Sequence, residues 1–123
     1  MGSILISINS QHVENIFNGT KRYEYRKIKG KREINKMLIY STYPIKKVVG
    51  EAQIEKVLEG SPEEIWEKTK QYSGVKEIFY NEYFKGKTKA IAYKLKNVKR
   101  YDTPKELSMY GVKSAPQSFV YVD

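Results

Sequence analysis

Apolar residues open the chain at every second position, which is the period of a strand with one buried face. These positions are Ile4, Ile6 and Ile8. The period then lengthens to the i, i+3, i+4 spacing of an amphipathic helix, with apolar residues at 13, 16 and 17. Ser10 can cap the start of this helix, and Gly19 fits its end, where a left-handed residue is favoured. Residues 4–19 therefore predict a strand followed by one short helix.

Further along the chain, several segments have the alternation or the apolar content of strands. The predicted strands span Tyr23 to Lys27, Met37 to Thr42, Lys47 to Leu58, Ile91 to Leu95 and Ser118 to Val122. After Leu95 the alternation slips before Val98, which indicates a bulge or a bend. A basic loop from Lys27 to Lys36 joins the first two of these strands.

Signals for helices lie between the long strand and the strand at Ile91. Ser61-Pro62-Glu63-Glu64 is a capping box with proline at the first helical position. The positions predicted to face the core are Ile65, Trp66, Thr69 and Tyr72 in this helix, and Val75, Ile78, Phe79 and Tyr83 in a second helix. Glycines at 74 and 86 end the two helices, and residues 104–110 predict one more helical turn that ends at Gly111.

The order of these elements predicts an α+β fold. The regular alternation of strands and helices that a parallel doubly wound sheet requires is absent. About five to six short strands with appended helices instead fit a small, mostly antiparallel β-barrel. Because 123 residues are enough for one core, we expect residues 1–123 to form a single domain.

Composition narrows the possible chemistry. The chain has no cysteine and one histidine, which excludes disulfide frameworks, cysteine nucleophiles and zinc fingers. His12 lies at the start of a predicted helix, where a surface or capping role is expected. We predict no metal site and no cofactor, so any catalysis would depend on lysine, acidic or hydroxyl side chains. No apolar run approaches the roughly 20 residues of a membrane span, and no secretory signal is recognised, so we expect a cytoplasmic protein.

The charge is unevenly distributed along the chain. Residues 20–36 carry eight Lys and Arg against two Glu, and residues 85–100 carry seven Lys and Arg and no acidic residue. Residues 51–82 hold eight Glu against four Lys. If the two basic segments lie side by side, they form a positive face suited to a phosphate backbone. With a net charge of +9 and eleven tyrosines, the chain favours RNA or a nucleotide as its partner.

The densest group of candidate residues follows the first predicted helix. Lys21 sits at the glycine turn, and Glu24 and Arg26 share one face of the next strand, where they could form an ion pair. The alternative is a plain amphipathic strand with its tyrosines turned inward and its charges in solvent. Composition alone favours that alternative.

The pattern Gly19-x-Lys21-x-x-Glu24-x-Arg26, between the first helix and the second strand, resembles the signature of ASCH domains, which are PUA-like β-barrels. The segments at 39–44 and 49–51 resemble the third and fourth strands of that family. The segments at 60–66 and 115–121 resemble a microbial branch described as predicted transcriptional regulators. The resemblance implies a cleft between the first helix and the barrel that holds RNA or a nucleotide. The ligand-binding residues that it implies are Lys21, Glu24, Arg26, Ser41, Thr42, Tyr43, Gln117 and Ser118.

Some ASCH proteins are enzymes, so the resemblance also implies Lys21 and Glu24 as candidate catalytic residues. One group hydrolyses N4-acetylcytidine with a threonine at the position of Glu24. Because this chain has glutamate there, it lacks that hydroxyl nucleophile. The leading hypothesis is an RNA- or nucleotide-binding domain. A small hydrolase of a modified nucleoside or of RNA, and a protein-interaction module that uses the acidic residues of 51–82, remain as alternatives. The sequence makes no prediction about the oligomeric state.

Overall fold

The computed structural model of the chain describes residues 2–122. Its strands are β1 (Gly2–Ile8), β2 (Tyr23–Arg26), β3 (Ile34–Ser41), β4 (Lys47–Gly60), β5 (Ala90–Lys105) and β6 (Phe119–Val122). Its helices are α1 (Ser10–Phe17), α2 (Pro62–Thr69) and α3 (Glu77–Tyr83), with short 3-10 turns at Lys70–Tyr72 and Leu107–Tyr110. The α+β prediction is confirmed. No helix among residues 2–122 is long and apolar enough to cross a membrane.

The six strands form one mixed sheet in the order β2-β5-β4-β3-β1-β6. Every neighbouring pair is antiparallel except β1 and β3, which are parallel. The predicted barrel is not closed, because no backbone ladder joins the two edge strands β2 and β6. Each edge strand is only four residues long. A side chain crosses the gap instead: Arg26 on β2 donates to the Ser7 carbonyl on β1 and to the Ser118 hydroxyl just before β6.

The bulge predicted before Val98 is present in β5. Glu51 and Gln53 of β4 pair with Lys99 and Lys96, so β5 carries one extra residue in this interval. Asn97 takes a positive φ of 51° there. Asparagine is one of the few side chains that visits this left-handed region readily. The bulge keeps the antiparallel strands β4 and β5 paired while the side chains of β5 beyond it alternate in the opposite phase.

The ends of the helices confirm most of the predicted caps. Gly19 follows α1 with a φ of 87°, and the α2 capping box is complete, with reciprocal bonds between Ser61 and Glu64. The predicted cap of α1 is wrong by one residue. Asn9, and not Ser10, accepts a backbone N–H of the first turn through its side chain. Both residue types are strong N-caps, so the sequence does not distinguish them.

Helix α3 buries a different stripe from the predicted one. Ile78 and Phe79 are exposed, and Tyr80 and Phe84 are buried in their place. The helix begins at Glu77, and the i, i+4 pair of Tyr80 and Phe84 packs its rings together at 4.7 Å. This aromatic cluster, which also includes Tyr25 of β2, fixes α3 against the edge of the sheet.

Candidate functional site

Three charged side chains meet beside the open edge of the sheet, where the sequence predicted them. Arg26 donates to the Oε2 atom of Glu24 through Nε at 3.1 Å and Nη2 at 2.6 Å. The Nζ atom of Lys21 lies 3.6 Å from the other carboxylate oxygen, Oε1. Lys21 is 2% exposed and Glu24 is 5% exposed. The plain amphipathic strand with its charges in solvent is therefore wrong.

The turn that follows α2 holds Lys21 in place. Its Nζ donates to the Ser73 carbonyl at 3.1 Å, and its backbone forms an isolated bridge with the same residue. Gly74, with a φ of 68°, packs against the aliphatic stem of Lys21 so closely that a Cβ atom there would overlap it. Asn15 of α1 donates to the Gly74 carbonyl and joins the turn to the first helix. Lys21 is thus fixed at its backbone, its stem and its ammonium group.

Arg26 connects the cluster to the opposite edge of the sheet. Besides Glu24, it binds the Ser7 carbonyl at 2.9 Å and the Ser118 hydroxyl at 3.2 Å. Its side chain is 12% exposed, so part of the guanidinium faces the cavity. The fork of the guanidinium suits this arrangement, because its donors can engage several acceptors in one plane.

The electrostatics of the cluster leave a surplus of positive charge. Burial alone would raise the pKa of Glu24, but the charges of Arg26 and Lys21 hold it below its usual value. Glu24 is therefore ionised at neutral pH. Burial lowers the pKa of Lys21, and the neighbouring carboxylate of Glu24 partly opposes this effect. With Lys21 protonated, two cations face one carboxylate, so the site favours an anion.

The cluster opens into a cavity of about 190 Å³. The end of β1, α1, β2 and α3 enclose it, and its walls include aromatic rings from β2 and α3. The lining residues are Ser7, Ile8, Asn9, His12, Lys21, Glu24, Tyr25, Arg26, Val75, Phe79, Tyr80 and Tyr83. Burial raises the pKa of Tyr25 to about 12 and also raises the pKa of Tyr83, so both phenol groups stay neutral. The cavity combines a charged floor with aromatic sides.

His12 belongs to this cavity, contrary to its predicted surface or capping role. Its ring meets Phe79 edge to face, with the ring centroids 5.1 Å apart. Burial and the charge of Lys21 lower the pKa of His12, so the imidazole is neutral at pH 7. Helical spacing could have revealed this position, because His12 lies four residues before the buried Ile16.

The other predicted ligand-binding residues lie outside the cavity lining. Ser118 touches the site through Arg26. Thr42 stands next to it, because its N–H donates to the carbonyl of the cavity residue Ile8. Ser41 is buried and lines a separate groove, Tyr43 is 77% exposed, and Gln117 is exposed. The structure thus gathers Lys21, Glu24, Arg26 and Ser118, while Ser41, Tyr43 and Gln117 stand apart from them.

Comparison with known proteins assigns a family to this arrangement. The family described as "Domain of unknown function (DUF365)" matches residues 2–115. The chain belongs to the DUF365 family. The match includes every residue of the charged cluster, which in this member comprises Lys21, Glu24 and Arg26.

Solved structures similar to this DUF365 member are ASCH domain proteins. The chain matches the crystal structure of ASCH from Zymomonas mobilis with a TM-score of 0.89 and 25% identity, covering 98% of this chain and 87% of that one. A serine-to-alanine variant of the Zymomonas protein matches with a TM-score of 0.88. Among curated proteins, an "ASCH domain-containing ribonuclease" from Zymomonas mobilis is 29% identical over 94 residues, which is 76% of this chain and 64% of that protein. The resemblance to ASCH domains is confirmed in sequence and in fold.

Two longer proteins from Ureaplasma parvum contain a segment similar to this DUF365 chain. The chain is 33% identical over 121 residues to a "Large ribosomal subunit protein uL22", of which it covers 39%. It is also 33% identical over 123 residues to an "ATP synthase subunit alpha", of which it covers 15%. The chain therefore spans less than half the length of these curated relatives.

Proposed function

We propose that this DUF365 chain is an RNA-binding domain that holds one nucleotide of a single strand in the cavity. The observation that carries the proposal is the buried cluster of Lys21, Glu24 and Arg26, which presents two cations and one carboxylate to a cavity open to solvent. Burying these charges costs free energy unless they are paired, so an unbalanced set is the kind of feature that binding sites retain.

The geometry suggests a role for each charged group. The partly exposed guanidinium of Arg26 and the ammonium of Lys21 would meet a phosphate oxygen. Glu24 keeps its Oε1 atom outside hydrogen-bonding range of Lys21, at 3.6 Å, so that oxygen can accept from an exocyclic amine of a base. A cavity of about 190 Å³ lies below the roughly 300 Å³ at the lower end of small-molecule sites. The cavity therefore encloses part of the bound nucleotide, and the remainder of that nucleotide and of the strand would lie outside.

The charged surface supports the same partner. Strand β2 pairs with β5, so the two basic segments of the sequence meet in the fold. Lys29 and Lys89, one from each segment, both lie 3.8 Å from the carboxylate of Glu59. One carboxylate between two lysines leaves a net positive patch, which raises the local concentration of a polyanion.

Two of the relatives have names related to RNA, whereas a third is named an ATP synthase subunit. The similar Zymomonas protein is named a ribonuclease, and one Ureaplasma relative is named a ribosomal protein, although the chain covers only part of each. The predicted role in transcriptional regulation would follow from binding of nascent RNA. Capture of transcripts from cells by the tagged chain would test that role separately.

The test of RNA binding compares two lysines. We expect single-stranded RNA to bind the wild-type chain at low salt, and more weakly as the salt concentration rises. Lys21→Met should weaken binding at every salt concentration, because it removes a cation from the cavity. Lys68→Met is the matched control, since it removes the same charge from an exposed position on α2. No affinity for RNA at low salt, or equal affinities of the two variants, would contradict the proposal.

A second candidate function is the cleavage of RNA, favoured by the burial of Lys21. Its lowered pKa increases the fraction of neutral amine, which could take the proton from a ribose 2′-hydroxyl. That oxygen would then attack the adjacent phosphorus, and the 5′-oxygen would leave with a proton from water. Lys21→Arg tests this, because it keeps the charge and removes the base. Retained RNA binding with lost cleavage supports catalysis, whereas intact RNA with the wild-type chain excludes it.

The remaining alternative, a protein-interaction surface formed by the acidic residues of 51–82, receives less support. Three of these carboxylates lie on β4 and already pair with lysines. They are Glu51, Glu55 and Glu59. The structure also gives less support to the hydrolysis of N4-acetylcytidine as the function. The buried Glu24 is bound by Arg26 and offers no hydroxyl nucleophile.

A further inference from the structure

A wider groove adjoins the cavity and shares one wall with it. The groove runs between α1 and the segment from Lys70 to Phe79, and it is larger and more open than the cavity. The residues that line both are Asn9, His12, Val75 and Phe79. The cavity and the groove are therefore neighbours on the same side of the molecule.

Phe79 stands at the junction with its ring partly free. It is 48% exposed, and among residues 2–122 its aromatic contact is the edge-to-face one with His12. The helix beneath it is fixed, because Tyr80 and Phe84 are buried in the aromatic cluster. An exposed phenylalanine on a rigid helix is a surface on which a base can stack at little cost in conformational entropy.

The groove also carries a cation that has no acidic partner. Lys76 is exposed, and it forms none of the ion pairs found among residues 2–122. The other lysine of the groove, Lys70, is paired with Glu67 at 2.9 Å. A lysine and an exposed aromatic ring, three residues apart in the chain, are the two elements of a nonspecific site for single-stranded nucleic acid.

We propose that this groove is a second nucleotide subsite, which binds the nucleotide adjacent to the one in the cavity. The base stacks on Phe79, and its phosphate contacts Lys76. The proposal rests on the proposed RNA-binding function and extends it. Because every base has a stacking face, this subsite selects for a single strand and for chain length, and not for sequence. A protein partner docking on the apolar pair Ile78 and Phe79 is the competing occupant.

The test uses tetranucleotides of each of the four bases and, as a direct probe of stacking, a tetranucleotide that contains 2-aminopurine. Phe79→Leu keeps the apolar bulk over His12 and removes the ring, whereas Phe79→Tyr keeps the ring. We expect Phe79→Leu to weaken tetranucleotide binding by roughly 10- to 100-fold. We expect Phe79→Tyr to bind like the wild type. The 2-aminopurine fluorescence should be quenched on binding to the wild type and to Phe79→Tyr only.

Two further variants separate the outcomes. Ile78→Ala, a change of the neighbouring exposed residue on the groove wall, should weaken RNA binding less than Phe79→Leu, because it leaves the ring of Phe79 in place. Lys76→Gln should reduce the slope of log affinity against log salt by about one contact. If the wild type binds RNA and Phe79→Leu binds equally well, the subsite is wrong and the cavity proposal stands. If the wild type binds no RNA at low salt, both proposals fail. If Ile78→Ala weakens RNA binding as much as Phe79→Leu and Phe79→Tyr does not restore it, apolar docking replaces stacking.

Discussion

The ion pairs around the cavity and the ion pairs along β4 consist of the same residue types in opposite environments. In the cavity, Glu24 is 5% exposed and two cations face it. Along β4, Glu55 pairs with Lys94 at 3.2 Å, and both side chains are about one third exposed. The first set is desolvated and unbalanced in charge. The second is hydrated, and at Glu55 one cation faces one carboxylate.

This difference shows which charges the fold must maintain. Surface pairs are screened by water and salt, and each contributes about 0–1 kcal/mol to stability. A buried charge that loses its partner costs about 3–5 kcal/mol, because the remaining charge stays desolvated. Stability therefore constrains Glu24 and Arg26 to remain together, whereas the pairs on β4 can change with little consequence.

The largest expected effect comes from breaking the buried pair. Glu24→Gln should lower the free energy of unfolding by about 3 kcal/mol, because Arg26 and Lys21 remain buried without a counter-charge. Glu55→Gln is the matched change on β4 and should cost less than about 1 kcal/mol. Urea denaturation of both variants measures the difference. Similar losses in the two variants would show that burial does not separate the two sets of pairs.

The next effect comes from the turn that supports Lys21. Gly74→Ala should lower the free energy of unfolding by about 2–3 kcal/mol and weaken RNA binding, because the new Cβ collides with the stem of Lys21 at a positive φ. Gly86→Ala is the control. Its φ of 76° is similar, but nothing lies within 4 Å of the new Cβ, so only the cost of the left-handed backbone of about 1–2 kcal/mol applies. Equal losses in the two variants would mean that contact with Lys21 contributes nothing.

A pH titration tests whether the pKa of the buried Lys21 is lowered. The pKa of Lys21 is lowered in the folded chain and is about 10.5 in the unfolded one. At a pH between these two pKa values, Lys21 is protonated in the unfolded chain and largely neutral in the folded chain. The free energy of unfolding therefore rises with pH, by up to about 1.4 kcal/mol per pH unit. The stability of the wild type relative to Lys21→Met should therefore increase from neutral pH towards pH 10. Urea melts of both chains across that range measure it, and a flat or falling difference would contradict the burial of a charged Lys21.

The smallest effect concerns the exposed pair itself. A double-mutant cycle on Lys94 and Glu55 should give a coupling energy below about 1 kcal/mol that disappears in 1 M salt. The same cycle on Arg26 and Glu24 should give a larger coupling that persists in salt, because the pair is largely buried and therefore little screened. If salt removes both couplings equally, the cavity is more hydrated than its geometry indicates.

Local signals in the sequence predicted much of the fold. The capping box at Ser61, the left-handed glycine at 19 and the slip before Val98 depend on neighbouring residues alone, and all three are confirmed. The closure of the sheet depends on contacts between distant segments. Because Arg26 fills the gap with side-chain bonds to residues 7 and 118, strand patterns alone could not show that the barrel stays open.

The sequence predicted only part of the candidate site, because the site also depends on contacts between distant segments. Lys21, Glu24 and Arg26 fall within six residues of sequence, so their proximity could be read from strand periodicity and the ASCH resemblance. Their burial could not, because it depends on α3 and on the turn at Gly74, more than fifty residues later. The spacing of four residues between His12 and the buried Ile16 was available in the sequence. The position of Phe79 was not, because it lies at the border of the buried stripe of α3, where helical spacing gives no clear side.

The pairing of β1 with β6 has a consequence for how this fold occurs in nature. Ser3 is the register partner of Val122, so the first and last described strands enter and leave the sheet as neighbours. A unit with adjacent entry and exit points can be joined to a host chain without stretching either. The similar segments within a ribosomal protein and within an ATP synthase subunit of Ureaplasma parvum are what this geometry permits. Neighbouring ends are therefore compatible with this fold forming one segment of a longer chain.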